Sequence, residues 1–236
     1  SNNANGMFHD AHSDTLFVCE QGTSKFEPRI SATNLRTGAY RVAADRFGGF
    51  SNASLGRLNS PNDVVLAADG ALWFTDPDYN QYFNFHEDWQ ENGCWTYRVD
   101  PKTGRAAVVE DTLHMPNGLA FAPGGQVLYI TDSAAANIAF EGHLPRGIYA
   151  FDVHGAHLRN KRLFAVAEAG IADGIKVSRK GFVFAGCFDG ISIYNPSGDL
   201  IAKLVTGFTI PNFTFDPDEQ VLYAATDSSI MQIFLH

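Results

Sequence analysis

Two stretches of the chain carry the same order of chemical types from end to end. The first runs Pro61-Asn62-Asp63-Val64-Val65-Leu66, turns at Asp69-Gly70, and returns through Leu72-Trp73-Phe74-Thr75-Asp76. The second runs Pro116-Asn117-Gly118-Leu119-Ala120-Phe121, turns at Gly124-Gly125, and returns through Val127-Leu128-Tyr129-Ile130-Thr131-Asp132. Each reads as a polar tip, a short apolar strand, a glycine turn, a second apolar strand and a closing Thr-Asp. Weaker copies begin at Ala4-Asn5-Gly6, Ala172-Asp173-Gly174 and Pro211-Asn212-Phe213, so the tip residues Asn5, Asn62, Asn117, Asp173 and Asn212 are spaced 57, 55, 56 and 39 apart. A repeat near 40 to 50 residues built from short strands predicts an all-β chain, a β-propeller with one four-stranded blade per repeat.

A chain of 236 residues with 45% hydrophobic composition can bury one large core. The repeat favours a single propeller domain over residues 1–236, with blades near 5–50, 60–111, 115–167, 170–207 and 210–236. Within each blade, turn chemistry separates alternating strands, as at Asp100-Pro101-Lys102-Thr103-Gly104 between Cys94–Val99 and Ala106–Val109. The fifth unit reaches a third strand at Ile230–Leu235 and has no outermost strand, so about one blade is expected upstream of Ser1.

Net charge is −9, with no cluster of Lys and Arg to track phosphates, which argues against a nucleic-acid partner. No apolar run approaches the length of a membrane span. Three widely separated cysteines, Cys19, Cys94 and Cys187, read as buried thiols rather than a disulfide framework and slightly favour a reducing, cytoplasmic setting. The sequons at Asn52 and Asn212 point the other way, to secretion, although such triplets often arise by chance. Oligomeric state is not legible.

In a propeller the innermost strand of each blade starts at one face beside the central channel. Asn62, Asn117 and Asp173 are therefore expected to converge there. Two amide oxygens and a carboxylate make a hard, all-oxygen donor set suited to Ca²⁺, Mg²⁺ or Mn²⁺ more than to a structural zinc. The simpler reading, that Asn-Gly and Asp-Gly are turn dipeptides, is weakened because Asp69-Gly70 and Gly124-Gly125 already fill the hairpin turns. Asn5 and Asn212 read as structural or channel-lining. Long loops over 76–93 and 133–146 return to the tip face. The first carries Tyr79, Tyr82, Phe83, Phe85, His86 and Trp89, an aromatic density that suits a pocket wall, or equally packing against a neighbour. His86 and His114 receive no role.

With Ser60-Pro61-Asn62-Asp63, Trp73-Phe74-Thr75-Asp76-Pro77, Pro116-Asn117-Gly118-Leu119 and Asp173-Gly174-Ile175-Lys176-Val177 in view, the chain resembles the SMP-30/gluconolactonase/regucalcin-like family. Val18-Cys19-Glu20-Gln21-Gly22 and Tyr194-Asn195-Pro196-Ser197-Gly198 look like its gluconolactonase branch. The resemblance implies a six-bladed propeller, of which about five blades are present, with one catalytic divalent cation at the channel mouth. Ca²⁺ stands first as that ion, with Zn²⁺, Mg²⁺ or Mn²⁺ as alternatives. Asn62, Asn117 and Asp173 match metal positions, Asp173 also the general base, and Asn62, Asp63 and Tyr79 are the candidate substrate contacts. Two departures stand out. The family's first-blade glutamate, in Glu-Gly-Pro, has no counterpart, Glu20 being at the end of a second strand, so this chain alone is expected to lack a full metal shell. Ser60 also stands where the family has an arginine that bears on sugar-acid specificity.

The implied activity is hydrolysis of a small-molecule sugar lactone to the hydroxy acid. The competing readings are a catalytically silent propeller that binds a ligand or protein, and a phosphotriesterase-like hydrolase on the same metal platform.

Overall fold

The computed structural model describes residues 2–48, 56–85, 93–136 and 145–235. Short alternating segments pair antiparallel with the next segment in sequence, and where the connection is a turn of two to five residues only that pairing is open to them. The hairpin expected at Asp100 shows how. The Asp100 Oδ1 accepts the N–H groups of Lys102 (3.0 Å) and Thr103 (2.8 Å), and Gly104 closes the turn at φ +68°.

The chain divides into two compact units, Ser1–Pro116 and Asn117–His236. In the first, β1 (Ala4–Asp10), β2 (Thr15–Glu20), β3 (Arg29–Asn34) and β4 (Tyr40–Ala44) form one antiparallel sheet in sequence order. A second sheet follows, of β5 (Val64–Leu66), β6 (Leu72–Asp76), β7 (Trp95–Val99) and β8 (Ala106–Glu110). Their facing sides share one core: Phe17, Cys19, Ile30 and Ala32 pack with Val64, Phe74, Tyr97 and Val99, and the Phe74 and Tyr97 rings stack at 5.1 Å. Burying side chains of this size contributes about 1.5–3 kcal/mol each.

The second unit holds three more sheets. Two are four-stranded, β9 (Pro116–Phe121), β10 (Val127–Asp132), β11 (Gly147–His154) and β12 (His157–Val166), then β13 (Ile175–Val177), β14 (Val183–Cys187), β15 (Gly190–Tyr194) and β16 (Leu200–Val205). The last has three strands, β17 (Phe213–Phe215), β18 (Val221–Ala225) and β19 (Ile230–Phe234). Ala120, Tyr129 and Ile148 pack on Ile175, Val183 and Ala185 in one core, and Phe184 and Ile191 pack on Phe213 and Leu222 in the next.

The five repeats thus appear as five antiparallel meanders, and the last lacks a fourth strand among the described residues. Strand ends differ from the sequence reading by a residue or two. Cys94 lies just before β7, where its Sγ accepts the Asp78 N–H at 3.3 Å, and Asn117 lies inside β9 rather than before it. None of the three cysteines is in a disulfide, as expected, and Cys19 and Cys187 are buried. No helix among the described residues is long and apolar enough to cross a membrane.

Candidate functional site

In the first unit the tip at Asn62 is held from both sides by main chain. Its N–H donates to the Thr75 carbonyl at 2.9 Å, and its own carbonyl accepts the Gly6 N–H at 2.7 Å. Gly6 is needed for room rather than for its backbone angle. A Cβ there would lie 2.6 Å from Asp63 Cα, closer than real Cβ atoms approach. The Asp63 N–H donates to Thr75 Oγ1 at 3.1 Å, and Asp63 Oδ1 accepts the Val64 N–H at 3.0 Å, so its buried carboxyl caps its own strand.

Behind this tip sits Asp76, the closing Asp of the repeat and fully buried. Its two oxygens accept the backbone N–H groups of Asn59 and Ser60, each at 2.8 Å. Burial outweighs these two bonds and pushes the Asp76 carboxyl up to about 8, with the charge of Asp78 adding to the rise. Ser60 donates its hydroxyl to the Pro77 carbonyl at 2.6 Å and accepts the Asn80 N–H at 3.2 Å. The serine at this position therefore ties the tip to the loop beyond β6.

That loop opens with a single helical turn, α1 (Asn80–Phe83). Tyr79, a candidate substrate contact, is only 7% exposed and packs near Phe83 at 6.1 Å, whereas Phe83 is 60% exposed and stacks on Phe85 at 5.5 Å. The exposed aromatic character of the loop thus rests on Phe83 and Phe85 more than on Tyr79. His86, Trp89 and the side chain of Tyr82 lie outside the described residues.

In the second unit three tips follow one another. Asn117 is buried at the second position of β9. Gly118 presses against the next tip: a Cβ there would run into the Asp173 carbonyl oxygen and lie 2.9 Å from Gly174 Cα. The same Asp173 carbonyl accepts Thr131 Oγ1 at 2.9 Å, the Asp173 N–H donates to Gly186 O at 2.9 Å, and Ser133 Oγ donates to Ala172 O at 2.8 Å. Gly174 in turn donates its N–H to Pro211 O at 2.8 Å. The half-buried Asp173 is therefore hung from fixed main chain on both sides, next to Asn117.

Of the expected ligands, Asn117 in β9 precedes the glycine that presses on the Asp173 main chain, just before β13, and Asn62 lies beside Asp63 and Gly6 within 1–116. Among the described residues no group of three or more His, Cys, Asp or Glu could hold a metal. The donor pair in the second unit is an amide oxygen with a carboxylate. Such a pair fits part of the shell of a hard cation of the Ca²⁺, Mg²⁺ or Mn²⁺ kind, and lacks the nitrogen and sulfur donors of a structural zinc site. The sequence reading missed one polar pair here. Lys176 Nζ donates to Asn212 Oδ1 at 3.0 Å, from a residue two positions beyond Gly174 to the next tip. The Asp-Gly-Ile-Lys run was visible, but only the stacking of successive sheets brings it to Asn212.

Comparison with known proteins agrees with this architecture. The chain is 31% identical over 230 residues to a gluconolactonase of Zymomonas mobilis, a match covering 92% of this chain and 59% of that protein. It is 29% identical over 205 residues to the lactonohydrolase oryL of Aspergillus oryzae, covering 80% of this chain and 46% of that protein. The chain thus spans about half the length of these relatives. A solved gluconolactonase from Xanthomonas campestris superposes with a TM-score of 0.83 at 30% identity, over 99% of this chain and 72% of that one. The fold is accordingly an all-β propeller with five blades in this chain. Residues 1–228 match the model of the SMP-30/Gluconolactonase/LRE-like region, and the chain belongs to that family.

Proposed function

We propose that the protein hydrolyses a sugar lactone to its hydroxy acid, with Asp173 as general base and one divalent cation, Ca²⁺ first, held in part by Asn117 and Asp173. Asn62 keeps the role that the family pattern gives it, as metal or substrate contact, with Asp63 and Tyr79 on the substrate side. The observation that carries this reading is the fixed setting of Asp173. Its carbonyl is held by Thr131, its N–H by Gly186, and Gly118 packs Asn117's strand directly against it.

Ring opening needs a water deprotonated as it attacks the carbonyl carbon, followed by breakage of the acyl C–O bond. Asp173 accepts the proton from water, and the departing ring oxygen takes up a proton to become the hydroxyl of the product. Water and lactone thus give one hydroxy acid, which ionises at neutral pH. The cation, when bound, supplies positive charge to the carbonyl oxygen as negative charge develops there. A carboxylate on a main chain held at both its carbonyl and its N–H suits proton transfer because its backbone does not have to be positioned during the reaction.

The test is hydrolysis of aldonolactones followed by proton release, on the whole protein. Asp173→Ala is expected to lower kcat/KM by about 10³-fold, the scale of losing a base together with a charge stabiliser. EDTA is expected to abolish turnover and added Ca²⁺ or Mn²⁺ to restore it. Unchanged turnover in Asp173→Ala would remove the mechanism.

A second reading has one observation in its favour, the exposed Phe83 stacked on Phe85. On that reading the propeller binds a ligand or protein through the aromatic loop and turns nothing over. Absence of hydrolysis at every metal concentration, with binding lost in Phe83→Ala, would select it.

A further inference from the structure

The tip that follows Asp173 carries a side-chain amide whose orientation is fixed. Asn212 Oδ1 accepts two donors, the Phe213 N–H at 2.9 Å and Lys176 Nζ at 3.0 Å. Both partners are obligate donors, so the oxygen faces them and the NH₂ group takes the other branch of the planar amide. That Nδ2 makes no hydrogen bond among the described residues. The amide also lies hard against the residue after Asp173: a Cβ on Gly174 would sit 2.6 Å from Asn212 Oδ1 and 2.7 Å from its Cγ. Gly174 therefore leaves the space that the Asn212 amide occupies. Lys176 itself is part-buried, bonds the Ile175 carbonyl at 3.1 Å, and lies 5.9 Å from the centre of the Phe213 ring. Its charge is thus spent on holding oxygens in place within the fold.

We propose that Asn212 is a substrate-binding residue, donating from Nδ2 to a hydroxyl oxygen of a polyhydroxylated lactone beside Asp173, and that Lys176 is the positioning residue that keeps the amide facing that way. This rests on the lactonase reading above. A site that donates to a substrate hydroxyl discriminates against the analogue that lacks it, because the donor is then left without a partner. The pair therefore sets preference for hydroxylated over unsubstituted lactones. It does not act on the bond being broken.

The experiment compares glucono-1,5-lactone with δ-valerolactone, which has the same ring without hydroxyls, and measures D-gluconate binding by calorimetry. Asn212→Asp keeps an oxygen for Lys176 and replaces the donor by a carboxylate oxygen that carries negative charge. It is expected to lower kcat/KM for gluconolactone about 10- to 100-fold, mostly through KM, and to leave δ-valerolactone within about twofold. Gluconate binding should weaken by a similar factor. Lys176→Met should give the same pattern at about 5-fold, and Lys176→Arg should restore near-normal preference. Equal losses on both lactones, or no loss on either, in a protein that hydrolyses gluconolactone would overturn the proposal and leave the lactonase reading standing. A protein that neither hydrolyses either lactone nor binds gluconate would sink both.

Discussion

The tips of the two compact units are braced by side chains of two kinds. In residues 1–116 the brace is a carboxyl: Asp76 receives the N–H groups of Asn59 and Ser60 behind Asn62. In residues 117–236 two hydroxyls serve, Thr131 on the Asp173 carbonyl and Ser133 on the Ala172 carbonyl, while Asp132, the counterpart of Asp76, is buried as well and accepts the Ala134 N–H. Thr75 and Thr131 occupy the same place in the repeat: Thr75 Oγ1 accepts the N–H of its own blade's Asp63, and Thr131 Oγ1 donates to the Asp173 carbonyl of the following blade. The Asp76 carboxyl titrates, whereas the Thr131 and Ser133 hydroxyls are uncharged across the physiological range.

Both units share the closely pressed glycine, and the largest expected effects test that likeness. Gly118→Ala and Gly6→Ala should each destabilise by about 3 kcal/mol, since the obstructing atoms are backbone and cannot swing aside. Chemical denaturation reads this directly. A large loss for one and none for the other would show that the two joints are not equivalent.

Asp76→Ala removes the acceptor of two buried N–H groups and should cost about 2 kcal/mol or somewhat more. Its pH signature separates the carboxyl brace from the hydroxyl braces. Burial raises the Asp76 carboxyl to about 8, so between the ordinary carboxylate range and pH 8 the unfolded chain has released this proton while the folded chain retains it. The contribution is fully present below about pH 4 and is lost as pH rises through 8. The fall in stability over that window should be shallower in Asp76→Asn. Thr131→Val, in the hydroxyl-braced unit, should cost about 1 kcal/mol with no change in pH profile. A pH-dependent effect there would break the contrast.

The smallest effect belongs to the last sheet. Ile191 in β15 is 1% exposed and Ile230 in β19 is 77% exposed, although both strands are comparably apolar. Ile191→Ala should cost about 2–4 kcal/mol and Ile230→Ala under about 0.5 kcal/mol. Thermal unfolding of the pair checks both.

These residues also show what could be read from the chain alone. The hairpin from Cys94 to Val109 was bounded to within a residue because alternation and turn residues agree there, and the lack of a fourth strand in the last sheet among the described residues follows from counting strands per repeat. The tip positions were legible as a register. Their glycines were not: Asn-Gly suggests a turn, but Gly6 and Gly118 are required by the approach of the next sheet, which no local pattern records. The Lys176–Asn212 contact spans 36 residues and exists only through sheet stacking, so residue type gave no sign of it. In the aromatic loop, composition could not separate Tyr79, drawn inward before α1, from Phe83, left outside.

The seams at Gly6–Asn62 and Gly174–Pro211 are stitched from peptide atoms, an N–H on one side and a carbonyl on the other. Every amino acid brings those atoms with it. The identity of the side chain displayed at such a tip can consequently drift, or be redesigned, without unpicking the stitch, provided its glycine neighbour is kept. A scaffold of this kind separates what must be inherited from what is open to invention, and lets one architecture serve many reagents.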